Sequence, residues 1–206
     1  YAPVDGGNET ESYHGAWTGL EQRFAFSLAK LLHLTVGGEV IRHARTDLRV
    51  SSSTGNEDTR NPYTVGAGYL LADLTPTPRF KVSAGARLDW YSTVGASLNP
   101  RFAIIGKPWH DGVAKLMVGK AFRAPSFYEL FYNSKTQEKA PHLKPEDVWS
   151  AELELSHRFS STVVATASSW ANRVGSLVVL DGDGTETSKN YYDNSSKPIL
   201  AYGGDL

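Results

Sequence analysis

One segment in the middle of the chain combines a cation, a carboxylate and several aromatic rings. GKAFRAPSFYELF, residues 119 to 131, contains Arg123 and Glu129, and its aromatic side chains continue to Tyr132. Two interpretations of Arg123 are open: a cation that faces an anionic ligand, or a structural residue that bonds nearby carbonyls or a carboxylate. Pro125 holds the residue before it extended, which favours the structural role.

The same segment and the loop after it supply the candidate ligand contacts. Their aromatic rings could stack on a ligand, or pack within the loop and in the aromatic band of a membrane interface. We favour the second interpretation. His142 could contact a metal chelate or be an ordinary surface histidine. The candidates for ligand contact are Arg123, Tyr128, Glu129, Tyr132 and His142.

The other reactive side chains form no pattern that indicates catalysis or a bound cofactor. The chain has no Cys, and its six His lack the His-x-x-x-His spacing of a helical metal site. DGDGTE, residues 181 to 186, starts like a calcium loop but lacks the glycine that such a loop needs at its sixth position. A net charge of -1 gives no basic patch for nucleic acid. We therefore predict no enzyme, no cofactor, no metal site and no nucleic-acid partner.

The elements that position these residues are strands, because apolar and polar residues alternate with period two. In RFKVSAGARLDWYS, residues 79 to 92, the even positions from Phe80 to Trp90 are apolar. The odd positions from Lys81 to Tyr91 are polar, small, charged or aromatic with a hydroxyl. Such a strand presents its two faces to two different environments.

Eight strands are predicted, four of them with less regular alternation, and a ninth begins after Tyr191. Short connections near 30 to 32, 75 to 78, 107 to 112 and 159 to 161 alternate with long or polar ones at 51 to 62, 92 to 97, 123 to 147 and 181 to 190. This alternation predicts an all-β fold, an antiparallel up-and-down transmembrane β-barrel, and no helix is expected. The residues predicted to face its lumen are Glu21, Arg23, Glu39, Arg87, Asp89, Glu152 and Glu154.

A soluble β-sandwich is the alternative, because it also has alternating strands and frequent turns. The strands here are near 10 residues or more, longer than is usual in soluble sheets. Charged residues also stand in the middle of strands, as a wet lumen allows. Both observations favour the barrel.

The order of the motifs resembles the middle of the barrel in TonB-dependent outer-membrane receptors. That family has a Gly-x-Ala-Phe-Arg-Ala-Pro segment, a nearby Glu-Leu, and Leu-x-Pro-Glu at the start of the next strand. SAGARLDWYS and SLNPRFAII resemble the family's two strands before this segment, whereas AYGGDL has Asp205 where the family has Glu. The matching residues are Gly119, Ala121, Phe122, Arg123, Ala124, Pro125, Glu129, Leu130, Leu143, Pro145 and Glu146.

The resemblance implies a leading loop at 1–13 and a partial receptor barrel at 14–206, about eight to nine strands of a 22-stranded type. No segment resembles the family's plug domain, TonB box or C-terminal strand, which predicts a fragment of the barrel. Such a fragment should form a curved, open antiparallel sheet.

The resemblance also implies surroundings, partners and a function. The implied location is the lipid bilayer of a Gram-negative outer membrane, and the implied partners are a plug domain and the TonB inner-membrane complex. The implied function is energy-driven uptake of a scarce nutrient, a ferric siderophore or other iron chelate, cobalamin or a glycan. A passive porin-like or structural barrel, and a soluble binding module, remain alternatives.

Overall fold

The computed structural model describes residues 10–28, 30–52, 55–185 and 187–206. Long strands dominate these residues, and one short helix lies among them. The elements are β1 Thr10–Leu28, β2 Leu32–Ser52, β3 Gly55–Arg60, β4 Tyr63–Thr77, β5 Phe80–Tyr91, β6 Gly95–Gly106, β7 Gly112–Arg123, α1 Phe127–Phe131, β8 Glu146–Arg158, β9 Val164–Gly175, β10 Val178–Asp181, β11 Tyr191–Asn194 and β12 Ile199–Asp205.

Nine of these strands form one antiparallel path in the order β1-β2-β4-β5-β6-β7-β8-β9-β12. Each pairs with the next along this path, while β3 pairs with β2, and β10 and β11 form a separate hairpin. Within the described residues the sheet is open, with β1 and β12 at its ends. The predicted antiparallel up-and-down architecture and the open sheet are confirmed.

Several boundaries in the first half differ from the sequence-based expectation. The segment 92–97, predicted as a long loop, is a tight turn, because Gly95 adopts a φ of +84° and β6 begins there. The predicted loop 51–62 contains β3, which pairs with β2. β1 begins at Thr10, inside the predicted leading loop, and the first nine residues of that loop lie outside the described residues.

The last part of the sheet also differs. The predicted eighth strand divides into β9 and β10 at Ser176, whose φ of +53° breaks the extended backbone. The segment predicted as the ninth strand forms β11, which begins at Tyr191 and pairs with β10 instead of joining the sheet. The ninth strand of the sheet is β12, which begins at Ile199 and pairs with β9.

One helix corrects the expectation of strands and loops alone. The segment Phe127–Phe131 forms α1, and residues 124–126 join it to the end of β7. Among the described residues no helix is long and apolar enough to cross a membrane.

The two faces of the sheet have the composition that the alternation predicts. One face, called the apolar face, carries Leu20, Leu70, Leu88 and Leu98, each more than half exposed. The opposite face, called the polar face, carries the charged residues that alternate with them, such as Arg87. Because successive side chains of a strand point to opposite sides, the strand register keeps the two sets apart across the sheet.

Pro100 accounts for a gap in the ladder between β6 and β7. The pairs run only from Gly106–Ala114 to Arg101–Gly119, whereas β6 stays paired with β5 through Pro100 to Gly95. Proline has no N–H to donate, so a ladder on its donor side is interrupted. The ladder is therefore absent between the first part of β6 and the last part of β7.

Gly37 makes room for an aromatic ring on the polar face. Tyr69 is its partner on β4, and a Cβ at position 37 would overlap the Tyr69 ring. The ring passes over this glycine, and the Tyr69 hydroxyl donates a hydrogen bond to Glu21 Oε1 at 3.0 Å. A side chain on β4 thereby bonds β1 across the intervening strand.

We expect Gly37→Ala to displace the Tyr69 ring and to lower the free energy of unfolding by about 1–3 kcal/mol, the usual cost of overpacking. Denaturant unfolding of the complete protein in detergent measures this. Gly68→Ala is the matched control, because a Cβ there meets nothing within 4 Å. Equal effects of the two substitutions would contradict the proposed role of Gly37.

Candidate functional site

The long connections lie together at one end of the sheet and pack on one another. β1 and β2 are 19 and 21 residues long, about twice the 9–11 residues with which a strand crosses a bilayer. We call this end, with β3, residues 124–145 and the β10–β11 hairpin, the loop assembly. The buried apolar clusters of the described residues belong to it: Leu48, Val50 and Tyr132 in one, and Leu130, Ala140 and Leu143 in the other.

The local sequence explains α1. Ser126 is its N-cap: the Ser126 hydroxyl accepts a hydrogen bond from the Glu129 N–H, and the Glu129 carboxylate accepts one from the Ser126 N–H. This reciprocal pair is a capping box, which satisfies free donors at the start of a helix. Tyr132 has an extended backbone and ends the helix. The capping box positions Leu130 in the buried cluster and Glu129 towards Arg123.

Arg123, at the end of β7, joins the sheet to the loop assembly. It donates to Glu146 from Nε at 2.6 Å and from Nη2 at 2.8 Å. It also donates to Glu129 from Nη1 at 2.9 Å and from Nη2 at 3.0 Å. Two bidentate contacts of this kind are among the strongest side-chain hydrogen bonds. With its donors occupied by two carboxylates, Arg123 has the geometry of the structural interpretation.

Glu146 extends this junction to the next loop. It is 8% exposed, and its Oε1 also accepts a hydrogen bond from the Val178 N–H at 2.7 Å.

Burial would raise the pKa of Glu129, but the hydrogen bonds from Arg123 and Ser126 outweigh it, so the pKa lies below its ordinary value. Glu129 is therefore charged at neutral pH, and its ion pair with Arg123 persists there.

The remaining sequence-predicted ligand contacts have different surroundings. Tyr132 is buried in the cluster with Leu48, and Tyr128 stacks on it with ring centroids 4.3 Å apart. His142 is exposed, and its Nε2 lies 3.6 Å from Asp193 Oδ1. Of the five candidates, His142 thus presents the most open side chain, whereas both tyrosines pack within the loop assembly.

A cavity of about 290 Å³ lies between α1 and the ends of β4 and β5 next to the loop assembly. Tyr63 and Tyr91 line it from the wall, and Phe127 and Phe131 line it from α1. Sequence reasoning did not select Tyr63 or Tyr91 as ligand contacts. Their signal is positional, since Tyr63 opens β4 and Tyr91 closes β5, both on the polar face and next to the loop assembly.

The predicted lumen-facing residues lie on the polar face, and several bond one another. Arg87 donates to Glu39 Oε2 at 2.8 Å and to Asp89 Oδ1 at 2.7 Å. Asp89 is 4% exposed and also accepts a bond from Asn99. Glu154, another of the predicted lumen-facing residues, forms an ion pair with Lys115, with Nζ and Oε1 2.7 Å apart.

Three more of the predicted lumen-facing residues complete this set. Glu21 accepts the hydrogen bond from the Tyr69 hydroxyl. Within the described ranges, the side chains of Arg23 and Glu152 have no hydrogen bond or ion pair. The polar face therefore combines a bonded network with two charges that are open to a further contact.

A hydroxyl–imidazole contact lies at the end of the sheet opposite the loop assembly. A hydroxyl lies beside an imidazole where Ser27 Oγ is 2.7 Å from His33 Nδ1, but both are exposed at the short-turn end of β1 and β2. Among the described residues no group of three metal-binding side chains comes together. Glu186, the last residue of the calcium-like run, lies outside the described residues.

A long-stranded antiparallel wall with an exposed apolar face, short turns at one end and packed loops at the other defines an outer-membrane type of β-barrel. The family model described as TonB dependent receptor-like, beta-barrel matches residues 1–206. The chain belongs to this family. A comparison with curated proteins gave no match.

Solved structures share the fold. The siderophore receptor PirA from Pseudomonas aeruginosa is 21% identical, with a TM-score of 0.73 over 91% of this chain and 36% of its own. The ferric enterobactin receptor PfeA from the same species, solved with enterobactin, is 15% identical, with a TM-score of 0.75 over 94% of this chain and 33% of its own. The FrpB iron transporter from Neisseria meningitidis is 14% identical, with a TM-score of 0.67 over 91% of this chain and 32% of its own. The chain thus spans about a third of the length of these structures.

We expect Arg123→Gln to loosen the loop assembly, because two carboxylates lose their shared cation. For a half-exposed arginine the cost should be about 1–2 kcal/mol, which raises amide hydrogen exchange of Val178 and α1 about 5–30-fold. Arg49→Gln is the control: Arg49 also bonds a carboxylate twice, that of Asp58, but on an exposed surface. Unchanged exchange in the Arg123 variant would refute the junction.

Proposed function

We propose that this chain forms wall and loop surface of a TonB-dependent receptor that imports a metal chelate, a ferric siderophore, across the outer membrane of a Gram-negative bacterium. The observation that carries the proposal is the family match over residues 1–206. The named relatives in the same fold are receptors of siderophores and an iron transporter, which supports this cargo. In this proposal the long-loop end faces the exterior.

The aromatic cavity is the part of the described surface that we propose for cargo contact. Its volume of about 290 Å³ is at the lower limit for a ligand pocket, so it would take one ring of a chelate rather than the whole molecule. Phe127 and Phe131 offer ring faces for stacking. The hydroxyl groups of Tyr63 and Tyr91 could donate to anionic oxygens of that ring.

The polar face would line the lumen and contact the receptor's plug domain through residues such as Arg87 and Glu39. Cysteine labelling in the intact membrane tests this orientation. A membrane-impermeant maleimide should label Arg87→Cys when the plug is released and should leave Leu88→Cys, on the apolar face, unlabelled. Equal labelling of both positions would rule out the assignment of the faces.

Uptake measurements test the function itself. Cells that express the complete receptor should import radioiron-labelled ferric enterobactin under iron limitation. Deletion of TonB should abolish import but not surface binding, because only import needs the energy that TonB supplies. TonB-independent uptake would instead indicate the passive barrel.

The same cells test whether the aromatic cavity contacts the cargo. Tyr91→Ala should weaken chelate binding about tenfold, because it removes a ring and a donor from the cavity. Tyr202→Ala, 84% exposed on the apolar face, is the matched control and should bind normally. Normal binding by the Tyr91 variant would exclude the cavity from the cargo site.

A further inference from the structure

Three side chains of adjacent strands form a row on the apolar face near the loop assembly. Lys120 on β7 is paired with Trp149 on β8, and Trp149 is paired with Arg173 on β9. Directly paired residues of an antiparallel sheet point to the same side. The row is therefore a cation, an indole ring and a second cation, side by side and held by backbone pairing.

This row lies on the apolar face and not on the polar one. Trp149 alternates with polar residues along β8 and shares its face with Leu153 and Leu155, which are 42% and 41% exposed. The next row towards the short turns consists of Val118, Ala151 and Ala171. Two cations thus border an apolar surface at its loop end, where an aromatic residue suits a membrane interface.

Neither cation has a partner that would explain its position. Within the described residues, Lys120 and Arg173 have no ion pair and no side-chain hydrogen bond. Asp147 lies two residues before Trp149 on the same face of β8, but among the described residues it forms no ion pair with either cation. By contrast Arg42, another cation of the apolar face, donates to the Thr64 hydroxyl at 2.8 Å.

We propose that Lys120, Trp149 and Arg173 bind the phosphate headgroup of a lipid in the leaflet at the loop end. Their backbones span two strand spacings, about 9–10 Å, so both long side chains can converge on one phosphate above the indole. Arginine and lysine are the usual phosphate ligands, and basic residues beside a membrane attract anionic lipids. The apolar row below would contact the acyl chains. This site is independent of the proposed cargo, because it lies on the other face of the wall.

Native mass spectrometry of the complete protein in detergent tests the proposal, with lipid A and dephosphorylated lipid A as probes. We expect phosphorylated lipid A to be retained at least about tenfold better, and the double variant Lys120→Gln, Arg173→Gln to lose that preference. Arg101→Gln is the control, since it removes one cation from the polar face and should change nothing. Retention that is unchanged in the double variant would overturn the site.

Two further measurements keep the outcome decisive. Asp147→Asn should increase retention of phosphorylated lipid A, because it removes the nearby negative charge; if the double variant does not fold, unchanged retention in this variant overturns the proposal. Excess inorganic phosphate should not displace the lipid. Displacement by phosphate alone would overturn the assignment to a lipid, since the acyl chains would then contribute nothing.

Discussion

The pairing of backbone groups between neighbouring strands is the constraint on which this structure depends. In hydrocarbon an unpaired N–H or C=O has no water to bond, so each strand of the wall must lie beside another. This pairing fixes the register, and the register in turn places the large apolar side chains on one face and the charged ones on the other. Where the ladder between β6 and β7 stops, the next residue is Pro100, which has no N–H to donate.

The loops depend on the wall through a small number of charged contacts. Arg123 ends β7 and holds Glu129 of α1 and Glu146 of β8, and Glu146 holds the start of β10. A single arginine thereby joins two strands, the helix and a hairpin. Since the apolar clusters of the loop assembly are small, these bonds contribute to holding the loops against the sheet.

The alternation of apolar and polar residues predicts a strand best where it continues over many residues without interruption. The strands β5 and β8 follow from their alternation, whereas the alternation in β4, β6 and β7 is less regular. The prediction is wrong at 92–97, where Gly95 permits a tight turn, and at Ser176, where one residue of positive φ divides an apolar run into β9 and β10. It also misses α1, because a five-residue helix is too short to show helical periodicity.

The sequence by itself determined the class of fold, the two faces of the wall and the family, because alternation and motif order are local properties of the chain. Tertiary structure alone decided which side chains meet. Tyr63 and Tyr91 belong to different strands yet line one cavity, and Arg123 meets Glu146 because the register of β7 and β8 pairs them. Such contacts depend on strand register and loop packing, which no local pattern specifies.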